Sequence, residues 1–132
     1  MTDAVEHPLR AVAEAAARHP ALELLLLFGS RARGTAQETS DWDFAFLGQP
    51  HLDVEQLLAD LVTATRSSRV DLVDLSRAGG QLRARAARDG ALAFERSPGV
   101  FDRFAYEAVS FWCDAEPVLR RAYEALLAEL AR

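Results

Sequence analysis

The chain of 132 residues contains no lysine, no isoleucine and no asparagine, and it has a single cysteine, Cys113. Every basic residue is therefore arginine. Coding bias toward GC-rich codons accounts for such a pattern, yet the missing lysine still removes whole classes of chemistry. A Walker-A phosphate loop needs its lysine, and a Schiff-base enzyme or a lysyl-AMP intermediate needs a lysine amine. One cysteine allows no internal disulfide and no cysteine-based zinc cluster, and in a helical stretch it reads as a small apolar residue. The three histidines, His7, His19 and His51, are scattered beside prolines or in loop-like sequence. That scatter speaks against a histidine metal site, and they read as polar surface residues.

Long apolar runs are scarce as well. The strongest, Leu22 to Phe28, is interrupted by Glu23 and stops at Gly29, far short of a membrane span. The N-terminus shows no charged-then-apolar leader pattern, which implies a cytoplasmic protein. A formal net charge of −5 disfavours a general binder of nucleic-acid backbones. The length suits one domain over residues 1–132 with a single core.

Among what is present, one stretch organises the rest. The run Leu22 to Phe28 ends in Gly29-Ser30, and after ten intervening residues Asp41-Trp42-Asp43 opens a second apolar run. This reads as a strand, a tight turn into a short helix, and a second strand. If the two strands are antiparallel, the glycine-serine turn and the two carboxylates meet at one sheet edge. Alternation along a strand places Asp41, Asp43 and Ala45 on one face and Trp42, Phe44 and Phe46 on the other. The aromatic face is then core and the carboxylate face a site. Carboxylates spaced i, i+2 can converge on one or two hard cations, and magnesium favours such oxygen ligands.

A turn entering a helix N-terminus presents backbone N–H groups suited to phosphate. Gly29 permits close backbone approach, and Ser30 can donate its hydroxyl to a phosphate oxygen. Taken singly, Ser30 could be only a helix cap and the Asp-x-Asp pair only turn chemistry. Their spacing, together with a third acidic strand downstream, favours a site.

The remaining elements follow in order. Val5, Leu9, Val12, Ala13 and Ala16 fall at helical spacing over Asp3 to His19, and His19-Pro20 ends that helix. The second strand covers about Asp41 to Leu47 and closes at Gly48-Gln49-Pro50. A helix capped by Asp53 carries Val54, Leu57, Leu58, Leu61 and Val62 to Thr65. Arg69 to Leu75 is a third strand. If it runs parallel to the second, Asp71 arrives beside Asp41 and Asp43, while Asp74 points to the opposite face as a structural or surface residue.

Gly79-Gly80 introduces a short helix from Gln81 to Arg88, whose Arg83, Arg85 and Arg88 could reach a triphosphate but fit a solvated face better. Ala91 to Glu95 reads as a fourth, edge strand. The last third, about residues 98–131, is helical, with Phe101, Phe104, Ala105, Ala108, Phe111 and Trp112 on one side. Pro117 is expected to kink or restart it before a final helix carrying Leu119, Tyr123, Leu126, Leu127 and Leu130. This aromatic-rich part is expected to be mainly core, with a partner-docking patch at its margin.

Gly29-Ser30, ten residues, then Asp41-Trp42-Asp43, followed by Arg69-Val70-Asp71-Leu72-Val73, resembles the signature of the polymerase-β-like nucleotidyltransferases, with the motif core at about residues 20–76. The small size and the C-terminal residues Tyr106-Glu107 and Phe111 to Pro117 resemble the minimal nucleotidyltransferase antitoxins paired with HEPN ribonuclease toxins in type VII toxin–antitoxin systems. The resemblance implies an α/β (α+β) fold with a small mixed sheet flanked by helices. It implies Mg2+-dependent transfer of AMP from ATP to a tyrosine of a HEPN toxin encoded by a neighbouring gene, with a hetero-oligomer as the possible assembly.

Asp41 and Asp43 would hold two magnesium ions, and Asp71 would share one near the acceptor hydroxyl. Gly29 and Ser30 would bind the β and γ phosphates, with Arg31 or Arg33 adding charge unless they face solvent. Two alternatives stand beside this reading. One is transfer to a small-molecule acceptor, and the other is a non-catalytic antitoxin that neutralises its toxin by binding.

Overall fold

The computed structural model describes residues 3–34 and 40–131. In chain order the elements are α1 (Asp3–Ala17), β1 (Leu22–Phe28), α2 (Gly29–Arg33), β2 (Trp42–Gly48), α3 (Val54–Thr65), β3 (Val70–Asp74), α4 (Gly80–Asp89), β4 (Ala91–Glu95) and α5 (Val100–Leu130), with a 3-10 turn at Leu75–Arg77. The four strands form one sheet in the order β3-β2-β1-β4. β1 pairs antiparallel with β2 and with β4, whereas β2 and β3 are parallel. A parallel pair needs a long crossover, and α3 supplies it.

The near-continuous apolar run of β1 reflects its central place, covered on both faces. Leu22, Leu25 and Leu27 pack with Trp42, Phe44 and Phe46 against Val12 and Ala16 of α1 and Leu57 and Leu61 of α3. Leu24 and Leu26 pack on the other face with Ala45, Leu75, Ala86 of α4, and Phe104 and Ala108 of α5. Leu22 and Leu24 would share a face in a regular strand, yet they belong to opposite layers. A register shift between them in the β1–β2 ladder explains this: one extra residue at Glu23 reverses the phase of the strand. The result is a mixed sheet between two helical layers, the class that the resemblance implies.

Several local expectations change. The α1 face includes Leu9, Val12 and Ala16, while the side chain of Val5 lies outside the described residues. His19 is not a surface residue. It is buried, and its Nε2 lies 2.7 Å from Asp60 Oδ2, tying the end of α1 to α3. Arg83 is not solvated either, since it donates to the Leu75 carbonyl at 2.8 Å and lies over the Phe104 ring.

The C-terminal helix is not restarted at Pro117, because α5 is one helix of 31 residues running through it. Proline there removes one i→i−4 bond, and the carbonyl left over, that of exposed Cys113, can be hydrated instead. Nor is the aromatic C-terminal part mainly core. Only Phe104 and Ala108 of α5 are buried, whereas Phe111, Leu119, Tyr123, Leu126 and Leu130 are exposed.

Candidate active site

The antiparallel pairing of β1 and β2 sets Phe28 beside Asp43, and the parallel pairing of β2 and β3 sets Asp43 beside Asp71. A bond from the Trp42 N–H to the Arg69 carbonyl at 2.8 Å fixes that register at the strand starts. The end of one strand and the starts of two others thus share one sheet edge. Asp43 and Asp71 project to the same face, while Trp42 is buried on the other.

Gly29, the first residue of α2, has φ +72, and a Cβ there would stand 3.0 Å from Asp43 Oδ2. A left-handed backbone and a carboxylate pressed against the α-carbon both require glycine. The Asp43 carboxyl is raised above its ordinary value, first by burial, then by the charges of Asp71 and Asp41 and by a hydrogen bond with Asp71. The edge is therefore an acidic cluster under mutual repulsion, which a cation would relieve. Among the described residues no three His, Cys, Asp or Glu side chains are gathered closely enough to form a ready ligand set. Asp43 and Asp71, paired across β2 and β3, are the nucleus of one, with exposed Asp41 contributing its charge from just ahead of β2.

A cavity of about 820 Å3 opens at this edge. Gly29, Arg33, Asp43 and Asp71 line it, and so do Val73, Leu75, Leu82, Arg85 and Asp89. Ser30 and Arg31 do not. Ser30 is half-buried in α2, and its carbonyl accepts from the Gly34 N–H. Arg31 turns to the opposite side of α2, donating to the Ser40 carbonyl at 3.0 Å and lying 4.2 Å over the Trp42 ring. That position anchors the turn and leaves Arg33 as the α2 arginine facing the cavity. Asp74 caps the 3-10 turn by accepting from the Ser76 N–H, outside the site as its face implied.

Sequence reasoning passed over Leu82 and Asp89, and it placed Arg85 on a solvated face although Arg85 lines the cavity with them. Their spacing of three and four residues marks one face of α4, a signal that was present but could not say which way the face looked.

The model of the family described as polymerase beta, nucleotidyltransferase matches residues 10–99. The chain belongs to the polymerase-β nucleotidyltransferase family. The match takes in β1, α2, β2 and β3, the elements that build the acidic edge.

Among curated proteins, the chain is 32% identical over 97 residues to the protein adenylyltransferase MntA of Aphanizomenon flos-aquae (strain 2012/KM1/D3). That match covers 64% of this chain and 65% of the relative, a little under two thirds of the relative's length. Among solved structures, a toxin–antitoxin crystal structure with AMP-PNP contains a chain of TM-score 0.72 and 26% identity, over 90% of this chain and 98% of that one. A Shewanella oneidensis complex of an MNT antitoxin with a tri-AMPylated HEPN toxin matches with TM-score 0.65 over 96% of this chain and 99% of that one. At 24% identity this last likeness is one of fold. The likeness of fold thus extends past the family match into α5.

Proposed function

We propose that the protein is an antitoxin that transfers AMP from ATP to a tyrosine hydroxyl of a HEPN ribonuclease toxin and so inactivates it. The observation that carries this reading is the paired Asp43 and Asp71 at one edge, with Gly29 closed against the Asp43 carboxylate. The 32% identity to an adenylyltransferase and the likeness to a chain of a toxin–antitoxin structure with AMP-PNP support it.

The donor set is all oxygen and carries like charges, which fits magnesium. Asp41, Asp43 and Asp71 would hold it, and when bound it supplies charge neutralisation and Lewis acidity at the phosphates. The chain's own residues do the rest. Gly29 lets the backbone come close to the phosphate chain. Arg33 offsets charge on the departing pyrophosphate. The tyrosine oxygen attacks the α-phosphorus, the bond from that phosphorus to the bridging oxygen breaks, and pyrophosphate leaves. Asp71, exposed at the outer side of the edge, receives the hydroxyl proton.

Intact mass spectrometry of the neighbouring gene's product, after incubation with this protein, ATP and Mg2+, tests the reading. The expected result is one or more added AMP groups on a tyrosine, with none when Asp43→Asn or Asp41→Asn replaces the wild type. Full transfer by either variant would refute the assignment. A stable complex with no added mass would make the protein a binding antitoxin, and neither mass nor complex would point to a small-molecule acceptor.

A further inference from the structure

The cavity has a direction. β2 and β3 run away from the acidic edge, so Ala45 and Val73 lie two residues further along the face that carries Asp43 and Asp71. α4 runs back toward the edge. Its last residue, Asp89, leads through Gly90 to Ala91, which pairs with Leu27, and a Cβ on Gly90 would meet the Phe28 ring at 3.3 Å. Leu82, near the start of α4, therefore lies toward the far end of the cavity with Leu75. From Asp89 to Leu82 is about 10 Å along the helix axis.

The walls change character over that length. At the edge they are acidic, with Arg33 beside them. At the far end they are Val73, Leu75 and Leu82, with Arg85 between the two. Val73 and Leu82 are each 42% exposed, although both face a concave space. Large aliphatic side chains left open in a pocket are the usual lining for a flat apolar ligand surface. Arg85 is exposed as well, and among the described residues it makes no ion pair.

We infer that the α4 wall is the nucleoside end of the nucleotide site. Leu82 and Val73 hold the base between them by apolar contact, and Arg85 binds the phosphate chain between base and acidic edge. The inference rests on the nucleotidyltransferase reading above, and it places on α4 a share of binding that the motif residues do not supply. It also reverses the expectation that Arg85 is a solvated helix residue.

Calorimetric titration of the full chain with Mg2+-ATP and with inorganic tripolyphosphate tests it. Leu82→Ser should weaken ATP binding about tenfold, the scale of losing one buried apolar contact, and leave tripolyphosphate unchanged. Arg85→Ala should weaken both ligands about tenfold or more, as loss of a charge-assisted bond does, with Arg85→Lys recovering most of it. Arg88→Ala, exposed on the same helix and outside the cavity, should change neither. Wild-type ATP affinity in Leu82→Ser or in Arg85→Ala overturns the inference while leaving the nucleotidyltransferase reading in place. Failure of the unsubstituted protein to bind either ligand overturns both.

Discussion

Gly29 and the two arginines that follow it carry the residue-scale argument. At Gly29 a positive φ and a 3.0 Å approach to Asp43 coincide, so Gly29→Ala faces two penalties. The left-handed conformation costs an L-residue about 1–2 kcal/mol, and the new methyl must push the Asp43 carboxylate aside. Urea unfolding should show a loss of that size, and AMP transfer should fall far more than stability does. A variant with wild-type transfer would mean that Asp43 does not need its present position. The glycine was legible from its place at the end of an apolar run. The division of labour between Arg31 and Arg33 was not, because residues two apart on a helix point in nearly opposite directions. Only the fold shows that Trp42 lies beneath Arg31 and the cavity before Arg33.

At the scale of elements, the sheet was readable because each strand has its own signal. The helical connections hide more. His19 and Asp60 are 41 residues apart and join α1 to α3. The His19 bond, followed by that of Gln56, holds the Asp60 carboxyl below its ordinary value. A carboxyl lowered on folding adds stability above its unfolded value, near pH 4, and loses it as pH falls through the lowered folded value. Asp60→Asn should therefore lower Tm by about 1–3 °C at pH 7, with the gap closing as pH falls below the ordinary carboxylate range. A gap of equal size at pH 7 and below that range would show that charge plays no part. Arg96 gives a second such tie from the end of β4, donating to the Leu22 carbonyl at 3.1 Å and to the His19 carbonyl. Neither contact is periodic, so no local pattern announces it.

On the scale of the whole molecule, α5 sets the shape. A helix of 31 residues is about 46 Å long, and its buried residues, Phe104 and Ala108, lie in its first third. Beyond them Leu119, Tyr123, Leu126 and Leu130 recur at spacings of four, three and four along one stripe and remain exposed. An unpartnered stripe of this kind marks an interaction surface, and under the proposed function its occupant is the HEPN toxin. Leu126→Glu should leave Tm and ATP binding unchanged and weaken the toxin complex at least about tenfold, measured by analytical ultracentrifugation of the mixed proteins. A complex of undiminished affinity would move the toxin contact elsewhere.

The sequence by itself determined the strands and helices around the acidic edge and the candidate residues Gly29, Asp41, Asp43 and Asp71. The antiparallel and parallel pairings that bring them together entered only as conditions and were decided by the structure. Strand alternation and glycine chemistry are local rules, and a motif of fixed spacing obeys them wherever it sits. Tertiary structure decided which way α4 faces, which α2 arginine meets the cavity, and how much of α5 is core. Those outcomes depend on which surfaces the other elements leave uncovered. The sheet face beside β3 lies open to the Leu82, Arg85 and Asp89 side of α4, and α5 continues past the sheet that buries its first turns.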